Sequence, residues 1–394
     1  MMGNILGKQQ LAYMPQLDGL RAIAVLAVLF HHFLPSTFIL NTFQVGALGV
    51  RFFFVLSGFL ITGILLRYKQ KASSKRQINE IIKSFYMRRF IRTFPAYYIY
   101  LFVALTAAYQ LVSPSFFWHF FYLSNIYFGT IQYWEGFDLL PHLWSLAVEE
   151  QFYLVWPFVV LYLPQKHLLK VLIATILGGA LFRSVLLGLS IGNPSTAHIL
   201  PISCLDSLCL GALLAYTTSR EYTFFKFRKP FLQVCLWFGV PCFVLLNFFV
   251  QSFYNWGGPL FAIAFKHFSY GFFTQLSASL AFVLIIEQAS QGFKGPLGYF
   301  LSSKPMLYLG KISYGIYLYH LLAAFLLNQA LVQLGVSFTG TNLDQLLLFL
   351  GNAGVTVLLA ALSWKWLEEP INQLKHRFPY LRQEQTRHRQ QPQI

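Results

Sequence analysis

The sequence predicts an all-α, polytopic membrane protein of about ten transmembrane helices, with both termini in the cytoplasm. Three observations predict it. First, hydrophobic residues make up 56% of the 394 positions and charged residues only 11%, with a mean hydropathy of +0.55. A water-soluble domain of this size does not carry that balance, and backbone in lipid must satisfy its hydrogen bonds within helices. Second, apolar stretches near the roughly twenty residues needed to cross a bilayer recur along the chain. They cover 17–34, 45–66, 94–112, 145–163, 168–188, 200–218, 231–250, 269–290, 306–334 and 344–368. Third, the basic residues are sorted by side. With the N-terminus inside, the inner loops hold nine Lys and Arg from Arg67 to Arg92, four from Arg220 to Lys229 and five from Lys375 to Arg389. Only Lys266 falls in an outer loop. That asymmetry sets the orientation, and it accounts for the net charge of +16 without any nucleic-acid role.

Taken in order, residues 1–16 read as a cytoplasmic N-terminus. No cleavable leader is expected, because the first apolar run is flanked by Asp18 and Arg21 and continues into a full span. Span one, LDGLRAIAVLAVLFHHF, places Arg21 and His32 eleven positions apart, within roughly 20° of one helix face and about 16 Å along the axis. Ionisable groups in a span are costly and usually functional. The alternative is that Arg21 snorkels to the inner surface while His31 and His32 sit at the outer interface.

Span two enters from outside with Arg51 in its outer half and Ser57-Gly58 near mid-depth. Arg88, Arg89 and Arg92 then stand at the inner mouth of span three, just before Pro95. Three guanidinium forks at a cavity mouth suit a polyphosphate; on residue type alone they also suit ordinary positive-inside anchoring. The aromatic run FFWHFFYLSNIYF, 116–128, is too interrupted for a span and is assigned to the outer surface or a re-entrant element.

Span four, LWSLAVEEQFYLVWP, carries Trp144, Glu149 and Glu150 in its outer half, and span six carries Asp206. Span nine, long enough to begin with an interfacial segment, brings Tyr314, Tyr317 and His320 toward mid-depth. The membrane domain thus covers 17–368, and 369–394 reads as a basic cytoplasmic tail, disordered and lipid-facing over 375–394. No internal repeat and no appended soluble domain is visible. The four cysteines lie in apolar runs and read as packing residues.

Five helices therefore bring ionisable groups to similar depths, which implies one shared polar cavity, since lipid excludes them. The chemistry available there is acid–base and electrostatic. His32 can act as a general base near neutral pH, with Glu149 or Glu150 holding its orientation. Arg51, Tyr317 or a backbone N–H can stabilise an oxyanion, and Ser57, Trp144, Asp206 and His320 are further candidates for substrate contacts. Ser57 is no nucleophile elbow, since Val55 replaces the required glycine. His31, His32 and His320 lack any metal-binding pattern, so no metal is expected.

The same stretches resemble the acyltransferase-3 family of integral membrane O-acyltransferases. The resemblance runs through LDGLRAIAVLAVLFHH, FFFVLSGFLI, RRFIRTFPAYY, HLWSLAVEEQFYLVWP, LDSLCLGALLA, LGKISYGIYLYH and WLEEP, in that order. It implies transfer of an acyl group, most often acetyl, from cytoplasmic acyl-CoA to a hydroxyl of a surface or lipid-linked glycan such as lipopolysaccharide. It implies essential roles for Arg21 and His32, acyl-CoA handling by Arg88, Arg89 and Arg92, a location in the inner (plasma) membrane, and membrane lipid and a glycan as partners. The esterase-like SGNH domain fused to some members is not expected here. A proton-coupled exporter of a sugar or lipid precursor is the alternative, because it would use the same buried His and Glu groups. The arginine cluster separates the two, since an acyl-CoA enzyme needs it and an exporter does not.

Overall fold

The computed structural model describes residues 13–35, 38, 43–131, 139–192, 195–219, 227–246, 260–336 and 340–381. Most of the N-terminal segment (1–12), residues 247–250 of the expected seventh span and the tail from 382 onward lie outside them. Every regular element among the described residues is helical. Among the described residues, eight helices are long and apolar enough to cross a membrane. Two more, α1 (Pro15–Phe33) and α6 (Leu143–Tyr162), have 19 and 20 residues but less apolar sequences. The first carries Asp18, Arg21, His31 and His32, and the second carries Glu149, Glu150 and Gln151. Together they match the ten expected spans.

After α1 come α2 (Val45–Lys71) and α3 (Lys75–Ala107). Helix α3 corrects the expected start of span three at 94. Ser74 caps its N-terminus by accepting from the Gln77 N–H, and the helix runs on through Pro95. Arg88, Arg89 and Arg92 therefore ride on a continuous rod instead of a loop. The aromatic run folds as two short helices, α4 (Phe116–Phe120) and α5 (Ser124–Thr130). The hydroxyls of Tyr97 and Tyr98 on α3 donate to the His119 and Phe120 carbonyls, and Asn125 and Gln151 exchange hydrogen bonds. This ties the run to α3 and α6.

Beyond α6 lie α7 (Gln165–Gly188), α8 (Pro201–Thr218), α9 (Arg228–Val234, continued by a π-type turn to 246) and α10 (Leu260–Gln291). The expected ninth span divides at Ile312. Short helices α11 (Gly295–Leu301) and α12 (Lys304–Lys311) precede the spanning α13 (Ser313–Gln333). Helix α14 (Asn342–Ser363) leads through a π-type turn at Trp364–Glu368 into α15 (Glu369–Gln373).

Backbone proximity sets the arrangement. A Cβ at Gly58 of α2 would overlap the Leu208 carbonyl of α8, and one at Gly211 would overlap the Val55 carbonyl. Without a hydrophobic drive between helices in lipid, such close approach is what joins them. Around this contact Phe54, Val55, Leu56, Leu208 and Leu214 form one apolar core. A second core, with Val25, Leu29, Tyr97, Tyr100, Ile316 and Leu318, joins α1, α3 and α13.

The described part of the C-terminal segment is not a loose tail. Residues 374–381 fold back over the inner ends of α2 and α3. Ser84 donates to the Pro379 carbonyl at 2.8 Å, and the Tyr380 ring stacks on Tyr68 at 4.4 Å. Expected disorder gives way here because the strap's carbonyls find donors and its aromatic ring finds a face.

Candidate active site

A cavity of about 320 Å³ lies between α1, α2, α3, α6, α13 and the C-terminal strap. That is the size of a small-molecule site, typically about 300–1,000 Å³. It collects Arg21, Arg88, Arg89 and Arg92 together with Ser57, Glu149, Glu150 and Tyr317. Apolar side chains of α2, among them Phe53, Leu56 and Leu60, line the rest.

The charged groups are held by specific partners. Arg21 pairs with Asp18 one turn away at 2.5 Å, and it lines the cavity as well. The Arg89 guanidinium lies 3.6 Å from the centre of the Tyr153 ring and faces Glu150 and Glu149, and its buried Nε has no hydrogen-bond partner among the described residues. Glu149 accepts from the Ser57 hydroxyl at 2.6 Å, and Glu150 from Thr93 at 3.2 Å. Arg88 donates from Nη1 to the carbonyls of Lys375 and Phe378. Lys375 and Tyr380 join the lining from the strap. Burial raises the Tyr380 phenol above its ordinary value, so it is neutral there.

At the far wall the Tyr317 and Ser145 hydroxyls lie 2.6 Å apart, and Tyr317 also reaches the His142 carbonyl at 3.1 Å. Behind this wall is a cluster of imidazoles. The His32 ring sits 4.8 Å from that of His320, and His320 sits 4.8 Å from His142. His142 and His320 are buried, whereas His31 and His32 are exposed. The His142 Nε2–H donates to the Leu318 carbonyl at 3.0 Å, and the His320 Nδ1–H donates to the Tyr317 carbonyl at 2.7 Å. Those bonds fix both tautomers. They leave His142 Nδ1 and His320 Nε2 as buried lone pairs with no partner among the described residues.

Three expectations need correction. Glu149 and Glu150 do not orient His32. Glu149 lies seven residues, about 10 Å, along α6 from His142, and its carboxylate is engaged by Ser57. The neighbours of His32 are other histidines. Arg51 and Asp206 do not line the cavity. Arg51 donates to Ser207 at 2.8 Å and pairs with Asp206 at 3.5 Å, and Asp206 is held from the other side by the fully buried Arg183 at 2.7 Å. This is a tie between α2, α7 and α8. Trp144 does not line the cavity; it packs edge-on against Phe54, which does.

Sequence reasoning missed His142, Thr93, Tyr153 and Lys375. His142 had a usable signal, a histidine at the outer end of a span, level with His31 and His32. Lys375 had none, because only the fold-back of the strap brings it here. Among the described residues no group of three or more His, Cys, Asp or Glu side chains is arranged to hold a metal.

A family model described as an acyltransferase domain matches residues 14–364. The peptidoglycan O-acetyltransferase OatA of Listeria monocytogenes is 31% identical over 391 residues, which cover 91% of this chain and 56% of that protein. The O-acetyltransferase OatA of Staphylococcus aureus strain NCTC 8325 is 30% identical, over 91% of this chain and 57% of that protein. A putative O-acetyltransferase, SAS0844, of S. aureus strain MSSA476 is 28% identical over 92% of this chain and 58% of its own length. The chain thus spans somewhat more than half the length of these relatives. No solved structure matches it. With the family model matching nearly the whole chain, the chain belongs to the acyltransferase-3 family of integral membrane proteins.

Proposed function

We propose that the protein is a plasma-membrane O-acyltransferase that moves an acyl group, most simply acetyl, from acyl-CoA to a hydroxyl of a cell-envelope glycan. The carrying observation is the two-sided layout. A cation-rich cavity reaches Tyr317 from one side, and the exposed His32 stands behind that wall on the other. The cations suit the phosphates of coenzyme A, as guanidinium and ammonium groups do generally. The apolar stretch along α2 suits the pantetheine arm. Relatives named for peptidoglycan O-acetylation favour a cell-wall glycan over lipopolysaccharide as the acceptor class.

In this reading the acceptor hydroxyl meets His32 from the outer side. His32 takes its proton as the oxygen forms a bond to the thioester carbonyl carbon. The C–S bond then breaks, and the coenzyme A thiolate leaves with the proton from the imidazolium. His320 and His142 position the His32 ring in place of the carboxylate expected from the sequence. Transfer within one complex is preferred, because no cysteine is among the described residues lining the cavity and its Ser57 hydroxyl is paired with Glu149 and not with a histidine.

The test uses washed membranes supplied with radiolabelled acetyl-CoA. Wild-type protein and the His31→Ala variant should label the glycan fraction, and His32→Ala should not, with equal amounts of protein inserted. Near-normal transfer by His32→Ala would remove this mechanism. Absence of both transfer and coenzyme A binding in the wild type would return the cavity to the exporter reading.

A further inference from the structure

We propose that the folded C-terminal strap, Lys375–Leu381, is part of the donor site, with Lys375 as a phosphate-binding cation and Arg88 as the clasp that holds the strap. The proposal deepens the donor reading above and rests on it.

The strap is fastened at three points. Arg88 Nη1 donates to the Lys375 carbonyl at 3.0 Å and to the Phe378 carbonyl at 3.2 Å, and the guanidinium lies 5.1 Å from the Tyr380 ring centre. Ser84 holds the Pro379 carbonyl, and Tyr68 stacks on Tyr380. Arg88 Nη1 is therefore engaged with the strap's own backbone, so part of its fork serves the fold while the residue still lines the cavity.

The fastening delivers Lys375 into the cavity wall, facing Arg88, Arg89 and Arg92. Gathering like charges at close range is unfavourable by itself. The nearby Glu368 faces Lys375 and Arg92, but it is one carboxylate, and it accepts from Ser363. The cavity lining holds five basic side chains, Arg21, Arg88, Arg89, Arg92 and Lys375, against the carboxylates Glu149 and Glu150; burial, then the neighbouring guanidinium groups, push the Lys375 amine down to about 7, and a bound polyanion favours its charged form. A polyanion seated among them resolves the repulsion. Lysine serves as a mobile point charge for phosphate, where arginine offers a fixed fork. The strap thus takes one nitrogen of Arg88 for the fold and presents a lysine to the ligand.

The experiment measures equilibrium binding of coenzyme A to the full chain purified in detergent, together with its melting temperature. Wild-type protein should bind. Lys375→Ala should bind about tenfold more weakly, as loss of a charge-assisted contact implies, with the melting temperature unchanged. Lys375→Arg should restore binding to within about threefold. Equal affinity of wild type and Lys375→Ala would overturn the proposal and leave the donor reading intact. Equal weakening in Lys375→Ala and Lys375→Arg with a lowered melting temperature would make the lysine structural and also overturn it. No coenzyme A binding by the wild type would remove the donor reading, and this proposal with it.

Discussion

His320 carries the consequence of a bond it makes to its own helix. Its Nδ1–H is committed to the Tyr317 carbonyl, so Nε2 can only accept. The ring stands between His32 and His142, within 4.8 Å of each. A neighbour that fixes the orientation of a general base affects the chemical step more than substrate binding. We expect His320→Ala to lower kcat by about 10²-fold, a typical share of acid–base catalysis, with KM for acetyl-CoA within about twofold of wild type. Steady-state kinetics on reconstituted protein would check this, and a raised KM at unchanged kcat would refute it. The sequence made His32 and His320 visible as costly groups at matching depth. It misassigned their partner, because a carboxylate is the usual companion of a catalytic histidine and nothing in the spacing of Glu149 shows that Ser57 will occupy it.

Among elements, α2 is the hinge point of the architecture. One face meets α8 through Gly58 and Gly211, and three residues before Phe54 it sends Arg51 into the tie with Asp206 and Arg183. Two guanidinium groups share one carboxylate where water is scarce. Removing that carboxylate leaves both cations unpaired, and breaking such a buried pair costs about 3–5 kcal/mol. Asp206→Ala should therefore lower the melting temperature in detergent sharply, and Asp206→Asn should fall between it and wild type. A melting temperature equal to wild type in Asp206→Ala would show that the tie is dispensable. Element types and most boundaries were legible from hydropathy alone. The start of α3 and the strap were not. Basic residues read as loop until it is known that they line a cavity, and a charged C-terminus reads as disordered until its carbonyls are seen to meet Arg88 and Ser84.

At the scale of the molecule, the cation-rich cavity and the exposed His32 belong to opposite sides of the membrane by the Lys and Arg asymmetry. Acetyl-CoA does not cross a sealed bilayer. Inside-out vesicles should therefore label their acceptor from external acetyl-CoA, and sealed right-side-out vesicles should do so only after permeabilisation. Equal labelling by both sealed preparations would invert or abolish the assigned sidedness. The two helices that bring the chemistry together, α1 and α6, are also the two of spanning length that fall short in apolarity. Each buried polar group that serves the reaction weakens its own helix as a substrate for the insertion machinery, where one central charge costs about 2.5–3.5 kcal/mol. Helix α1 is synthesised well before α11 and α13, yet its Gly19 packs against α11 and its His32 against α13. Biogenesis of this protein therefore requires that an imperfect span be retained, through its early contact with α2, until α11 and α13 arrive to enclose it.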